Sequence, residues 1–319
     1  MGLCYIRRVT PDAPRAIRSA SLSHPGLSLI IGTILVSFHL LCALLAPAVT
    51  GWTGRDPYEQ VAPRSVTPPT PPDREHILGT DALGRDQLSR LIHGSRISLQ
   101  VGLVAEAIAL LIGTLVGALA GYLGGRVDAV LMRATDIVFA IPGPLLALAM
   151  IAAIPKPENA PLLRHLSHPS LAAIFIVLGL IGWAGIARLV RGEILRLREL
   201  EFTSAARAIG AGRSRVIVRH LLPNALGPLL VAASLGIGGN ILLEAWLSFL
   251  GVGVRPPLPS WGTMITEGQA HFLSKPWVCI APGLAILTAV LGFNLLGDAV
   301  RDFVDPRRRS AGIGSPAER

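Results

Sequence analysis

The stretch that decides the fold is residues 98–122, which read SLQVGLVAEAIALLIGTLVGALAGY and carry one charge, at Glu106. As a helix, this run crosses the ~30 Å hydrocarbon core of a bilayer. Apolar runs of similar length lie on either side of it. The sequence therefore predicts an all-α, polytopic membrane protein with six transmembrane helices, at about residues 27–49, 98–122, 134–154, 170–190, 226–250 and 278–300.

The composition of the whole chain agrees with a membrane protein. Of its 319 residues, 51% are hydrophobic and 15% are charged, against about 25% charged in soluble domains. These values exclude a disordered chain, a disulfide scaffold and a coiled coil, and they argue against a water-soluble enzyme. The net charge of +9 is typical of basic cytoplasmic loops or of nucleic-acid binding. We favour the loops, and predict no nucleic-acid partner, because the arginines flank the apolar runs.

The first span has a second interpretation as a cleaved signal peptide, because basic residues precede it and Ala46-Pro47-Ala48 lies near its end. The apolar region of a signal peptide is usually about 7–15 residues long. The run at 27–49 is longer and lies some distance from the N-terminus, so we interpret it as a retained helix.

The distribution of basic residues predicts the orientation. Six spans place both termini on one side, and the segments on that side hold 19 of the 29 Lys and Arg residues. Basic residues collect in cytoplasmic loops. We therefore expect the tails 1–26 and 301–319 and the loop 191–223 in the cytoplasm. The segments 50–97 and 251–277 then lie outside, around a five-helix core at 98–300.

The chain carries no motif for chemistry of its own. A nucleotide-binding P-loop needs a lysine followed by Ser or Thr, and the two lysines of the sequence, Lys156 and Lys275, are each followed by proline. Zinc-site and hydrolase motifs are also missing from the sequence. We predict no catalytic residue, metal or cofactor in this chain, and we interpret His39, alone on an apolar helix, as a hydrogen-bonded packing residue.

The acidic residues inside the predicted spans include Glu106, Asp136 and Glu244. Such residues are costly in lipid and face a bundle interior or water. They leave open a transporter driven by an ion gradient. Asp136 can instead lie at the interface and pair with Arg133, three residues before it.

Other residues of the spans indicate a translocation path and close packing. The path-lining candidates are Pro142, Asn240, Glu244 and Asn294; for the two amides the alternative is packing between helices. Pro142 and Pro144 interrupt the third span. Glycine recurs at every fourth residue along the second helix, at Gly113, Gly117, Gly121 and Gly125. This spacing predicts that another helix packs closely against it.

The segment 191–224 reads RGEILRLRELEFTSAARAIGAGRSRVIVRHLLPN and predicts a helix–turn–helix outside the membrane. Phe202, Ala205, Ala206 and Ile209 share one helix face, and Gly210 and Gly212 suit its left-handed end. We expect Ser214 to cap a second helix that Pro223 ends. The small contact face, flanked by Arg207, Arg213 and Arg215, suits docking of a partner protein; an amphipathic interfacial helix is the alternative.

This segment resembles the EAA loop of the membrane permeases of binding-protein-dependent ABC importers. The family pattern is EAA, three residues, Gly, nine residues and I-x-L-P. Here Ser204-Ala205-Ala206 precedes Gly210, and His220-Leu221-Leu222-Pro223 follows at the family's spacing. Ser204 replaces the Glu and His220 the Ile; the His form is familiar in the dipeptide/oligopeptide/nickel branch.

Two further stretches resemble the C-type permease of that branch. They are residues 78–99, LGTDALGRDQLSRLIHGSRISL, before the second span, and residues 244–262, EAWLSFLGVGVRPPLPSWG, at the end of the fifth. Three signatures in the right order extend the resemblance over about residues 25–306.

The resemblance implies the MetI-like fold of type I ABC importer permeases in the bacterial inner membrane. It implies a paralogous permease as heterodimer partner, two cytoplasmic ATPase subunits that bind ATP and Mg, and an extracytoplasmic solute-binding protein. The helix at 205–210 would be the coupling helix, through which ATP-driven closure of the ATPases moves the permease. The expected coupling residues are Ser204, Ala205, Ala206, Arg207, Ile209, Gly210 and Arg213.

The implied cargo is di- or oligopeptides, or a nickel or other metal chelate. An ion-gradient-driven transporter and a non-transporting membrane scaffold are the alternatives.

Overall fold

The computed structural model describes residues 25–61, 68–154 and 168–304. Its longer elements in these ranges are helices, so the predicted all-α fold is confirmed. They are α1 (Pro25–Thr53), α2 (Gln87–Leu123), α3 (Gly125–Phe139), α4 (Gly143–Ala153), α5 (Pro169–Arg198), α6 (Glu201–Ala208), α7 (Arg213–Val216), α8 (Leu222–Phe249), α9 (Trp261–Gly268) and α10 (Trp277–Val304). The tails, the residues 62–67 and the loop 155–167 lie outside the described residues.

Five helices in the described ranges are long and apolar enough to cross a membrane, and the bent pair α3–α4 makes six if it is counted as one span. The third predicted span is therefore not a single straight helix. Its halves meet at 89°, because proline lacks an N–H and disfavours helical geometry at the residue before it. The break falls between Phe139 and Gly143, at Pro142.

The second span begins earlier than its apolar run. Asp86 caps α2 by accepting a hydrogen bond from the Ser89 N–H at 2.8 Å. The first three turns of α2 therefore carry polar residues ahead of the predicted start at 98. At the other end Gly124, with φ +67°, turns the chain directly into α3.

The second helix of the predicted helix–turn–helix differs from expectation. α7 begins after Gly212 rather than at a Ser214 cap, and Pro223 does not end it. A π-helical turn, Ile217–Leu221, leads into α8, and the Leu222 N–H donates to the Ile217 carbonyl, five residues back. This wider turn comes before Pro223, which lies in the first turn of α8, where a missing N–H is tolerated.

The centre of the fold is the contact between α2 and α5. A Cβ added at Gly113 would come within 2.5 Å of the Ile186 Cβ, one at Gly121 within 2.9 Å of the Arg191 carbonyl, and one at Gly117 would collide with the Ala187 carbonyl. The close contact is thus confirmed for three of the four glycines. The fourth, Gly125, has open space beside it and a φ of +55°.

On the other side of the bundle, α1 packs on α10. Gly32 and Gly292 are its points of close approach. His39 of α1 forms a hydrogen bond with the Thr288 hydroxyl at 2.9 Å and lies edge-on to Trp261 at 5.2 Å. His39 is therefore the hydrogen-bonded packing residue that the sequence predicts.

Candidate functional site

The predicted docking helix is α6, which stands between α5 and α7. It begins after Leu200, whose backbone is extended (φ −77°, ψ 152°). Gly210 follows its end with φ +83°, and nothing lies within 4 Å of the point that a Cβ would occupy there. Glycine adopts this left-handed conformation without steric cost, so the predicted end of the helix at Gly210 is confirmed.

The inner face of α6 anchors it to the bundle. Thr203 is fully buried and Ala206 nearly so, and the Thr203 hydroxyl donates to the Leu197 carbonyl at 2.9 Å. Ala206 lies on this face because it follows Thr203 by three residues. Placing Ala206 on the docking face was therefore wrong; it packs against its own chain.

The outer face of α6 is exposed. Ser204, Ala205 and Gly210 are exposed, and the Ile209 side chain is 86% exposed. Ile209 and its small neighbours thus form an accessible surface on this side of α6. Ala205 and Ile209, two of the residues that the sequence predicts on one face, are both exposed.

Two arginines tie this region to the end of α2. The Arg207 guanidinium lies 5.6 Å from the centre of the Tyr122 ring, and Arg198 donates to the Gly121 carbonyl at 2.9 Å. Arg213, in contrast, is exposed. A displacement of α6 would therefore be transmitted to both α5 and α2, the two most closely packed helices.

Asn240 and Glu106 form a polar contact between α8 and α2. The Asn240 amide donates to Glu106 Oε2 at 3.0 Å, and the two residues are 9% and 4% exposed. Gly236 leaves the space that the carboxylate occupies. This geometry favours the packing alternative for Asn240 over a path-lining role.

Glu244 is also buried, with no exposed surface. It accepts hydrogen bonds from the Ser248 hydroxyl at 2.6 Å and from the Ser260 hydroxyl at 2.8 Å. Ser260 caps α9, so Glu244 holds the turn between α8 and α9 closed. Its contacts are those of a residue that positions a loop.

The other two path candidates have different surroundings. Asn294 is half-buried, and its Oδ1 lies 3.4 Å from a Cβ position at Gly238 of α8. Pro142 is exposed at the break before α4. The structure therefore places the four candidates in separate environments.

Asp136 does not pair with Arg133. Its carboxylate accepts a hydrogen bond from Arg188 of α5 at 2.7 Å. One residue pair further along the same two helices, Arg191 donates to both oxygens of Asp128, at 2.5 and 2.7 Å. Asp136 therefore has an arginine partner on another helix, which local spacing along one helix does not reveal.

A buried ionic cluster, defined by Asp81, Arg85, Arg90 and Glu267, lies at the end of the bundle opposite α6. Arg85 donates to Asp81 at 2.7 Å and to Glu267 at 2.5 Å, and Arg90 donates to Glu267 at 2.8 Å. Beside the cluster, burial raises the pKa of the Tyr58 phenol and neighbouring Asp56 raises it further. Tyr58 is therefore uncharged at neutral pH.

The two outer signature stretches contact each other, which the sequence alone does not show. Ser98 accepts from the Trp261 N–H at 3.1 Å, and the Trp261 indole donates to the Leu91 carbonyl at 3.2 Å. Trp261 is 1% exposed. Residues 78–99 and 244–262 thus form one packed unit.

Replacing Asn240 by Leu is expected to destabilise the protein by about 1–3 kcal/mol, because it leaves the buried Glu106 carboxylate without its donor. We expect the loss to shrink in the double variant Asn240→Leu/Glu106→Leu, which removes both polar groups. The measurement is the unfolding midpoint of the purified protein. Equal midpoints for Asn240→Leu and the unchanged protein would contradict the role assigned to this contact.

The chain is similar in sequence to known transport-system membrane proteins. Residues 113–310 match the family described as "Binding-protein-dependent transport system inner membrane component". The dipeptide transport system permease protein of Alkalihalophilus pseudofirmus is 39% identical over 88% of this chain and 86% of its own length. The oligopeptide transport system permease protein of Bacillus subtilis is 36% identical over 93% and 90%.

A third relative and a solved structure extend the comparison. The glutathione transport system permease protein of Pectobacterium atrosepticum is 40% identical over 75% of both chains. Among solved structures, a chain of the MetNI methionine ABC transporter in an inward-facing conformation matches with a TM-score of 0.52 and 21% identity. The match covers 68% of this chain and 96% of that one, and it supports the MetI-like fold.

Proposed function

We propose a peptide cargo and a coupling route for this chain, which belongs to the family of binding-protein-dependent transport system inner membrane components and is the permease subunit of an ABC importer. It is a multi-pass protein of the bacterial inner membrane. ATP is hydrolysed by separate ATPase subunits, and a solute-binding protein delivers the cargo. The two alternative functions, an ion-gradient-driven transporter and a non-transporting membrane scaffold, are therefore rejected.

The observation that carries the coupling proposal is the exposed outer face of α6. Ile209, 86% exposed, projects beside Ala205 and Gly210 from a helix that lies beyond the spans. We assign this face to a groove of an ATPase subunit. Arg207 connects α6 to Tyr122 of α2, and Arg198 at the end of α5 donates to the Gly121 carbonyl of α2, so inward movement of the ATPase would displace the core of the bundle.

The orientation and the partners follow from this assignment. If α6 meets the cytoplasmic ATPase, both chain termini lie in the cytoplasm, in agreement with the excess of basic residues on that side. The ionic cluster then faces outward, where the solute-binding protein docks. We further propose that a paralogous permease completes a heterodimer and that two ATPases serve the pair.

The cargo proposal is supported by the names of the relatives, which are dipeptide, oligopeptide and glutathione transport systems. We propose that this permease passes short peptides. Its own residues would supply the path, with Pro142 and Asn294 as the more accessible of the four candidates.

Uptake into proteoliposomes tests the cargo. The complete complex with its solute-binding protein should accumulate a labelled di- or tripeptide when ATP is supplied on the ATPase side. A nickel chelate, offered alone, is the comparison substrate. Accumulation of the chelate without any peptide uptake would contradict the peptide assignment and leave the coupling route unaffected.

A further inference from the structure

The ion pair of Arg188 and Asp136 connects α5 to α3 within the predicted spans. The distance from Arg188 Nη2 to Asp136 Oδ1 is 2.7 Å, and the two side chains are 46% and 54% exposed. Ala187, the preceding residue, packs on Gly117 of α2. Since α2 continues to Leu123, about 9 Å further along its axis, the pair lies at membrane depth.

The guanidinium of Arg188 is held in position, but its hydrogen-bond donors are not all used. Its Nε donates to the Thr135 hydroxyl at 3.4 Å, and its carbon lies 4.1 Å from the centre of the Phe139 ring. A guanidinium has five N–H donors, and these bonds do not use the two on Nη1. Arg188 is therefore held in place with donors to spare.

The face of α5 that carries Arg188 is not suited to lipid. Gly185 and Gly192 lie on the same face, one turn before and one turn after, and neither has an atom within 4 Å of a Cβ position. In contact with hydrocarbon, this face would expose a charge between two glycines. Charged residues in spans face a water-filled cavity or the bundle interior instead.

The pair next to it provides a contrast. Arg191 donates two hydrogen bonds to Asp128, and the two side chains are 33% and 19% exposed. A two-bond arginine–carboxylate contact satisfies both groups. Arg191–Asp128 therefore serves as a brace between the same two helices, whereas Arg188–Asp136 is open on one side.

We propose that Arg188 lines the translocation path and binds the carboxylate of a passing peptide, and that Asp136 holds the guanidinium ready when no peptide is present. This inference rests on the proposed function. A peptide ends in a carboxylate that is ionised at neutral pH, and arginine is the side chain whose planar donors match that group. Phe139 and Thr135 keep the guanidinium oriented while its carboxylate partner changes.

Single substitutions in both pairs test the proposal in the reconstituted complex. We expect Arg188→Ala to lower uptake of a free-acid tripeptide by about tenfold or more, because a charge-assisted bond to the cargo is lost. Asp136→Ala should lower it by no more than about twofold, because the cargo carboxylate replaces Asp136.

The control pair should behave symmetrically. Arg191→Ala and Asp128→Ala are expected to reduce uptake equally, and exchanging the two residues should restore part of it. If Arg188→Ala and Asp136→Ala also lose uptake equally and their exchange restores it, Arg188–Asp136 is only a brace and the proposal is overturned. Unchanged uptake in Arg188→Ala would overturn it too.

A conservative variant covers the case in which Arg188→Ala does not assemble with its partners. Arg188→Lys keeps the charge but not the planar donors. If Arg188→Lys takes up less tripeptide than Asp136→Ala, the result supports a carboxylate site at Arg188. If Arg188→Lys takes up as much as Asp136→Ala or more, the proposed site is overturned. Failure of the unchanged complex to take up any peptide would refute the proposed function instead, so the two failures are distinguishable.

Discussion

Gly210→Asp and Ala205→Glu should each abolish ATP-driven uptake while leaving the protein inserted in the membrane. Both positions lie on the exposed face of α6, Gly210 with nothing within 4 Å. Neither change disturbs the inner face, which Thr203 anchors. In the assembled importer, however, each places a charge in a covered contact without a partner, which costs far more than an exposed charge.

The expected size is a fall of at least about tenfold in ATP hydrolysis stimulated by the solute-binding protein, as for a residue at the centre of an interface. The assay is phosphate release by the reconstituted complex, with uptake measured in parallel. Matched controls are Ala205→Ser, which keeps a small side chain, and Gly210→Asn, which tolerates a positive φ without adding charge. If a charged variant retains full stimulation, α6 is not the docking helix.

The second large effect is expected at Asp81 in the outer ionic cluster. Asp81 is 3% exposed; it accepts hydrogen bonds from the Arg85 side chain and from the backbone N–H groups of Leu83 and Arg85. Asp81→Ala would leave two buried arginines with Glu267 as the one remaining carboxylate of the cluster. Breaking a buried pair from one side costs about 3–5 kcal/mol.

The loss should appear as a lower unfolding midpoint of the purified complex. Asp73→Ala is the matched control: Asp73 also accepts from two backbone N–H groups, of Glu75 and His76, but it is exposed. We expect a change of no more than about 1 kcal/mol there. Equal shifts of the unfolding midpoint in the two variants would show that Asp81 stabilises the protein no more than an exposed carboxylate that holds a turn. That result would contradict the role assigned to the ionic cluster.

Local patterns in the sequence predicted the spans and the docking helix. The length and apolarity of a run are enough to identify a transmembrane helix, because every such helix must cross a hydrocarbon core of similar thickness. Gly210 ends α6 where expected because a left-handed backbone excludes most other residues. Ala206 was assigned to the wrong face because Thr203 is polar, and its hydrogen bond to Leu197 draws that side of the helix inward.

Contacts between distant residues could not be predicted in this way. Arg188 and Asp136 are 52 residues apart, and Arg85 and Glu267 are 182 apart, so no helical period relates them. Asp136 and Arg133 both lie on α3, but the packing of α3 on α5 gives Asp136 the Arg188 guanidinium as its partner. Glu244, chosen as an isolated intramembrane acid, has one partner in Ser248, one turn along the same helix, and a second in Ser260, which arrives with the returning loop.

The central claim is that the permease moves only when a separate ATPase acts on it through α6. The most direct test is peptide uptake by vesicles that contain this chain and its partner permease without ATPase subunits, under an imposed proton or sodium gradient. We predict no accumulation until the ATPases, ATP and the loaded solute-binding protein are added. Accumulation driven by the gradient alone would contradict this claim.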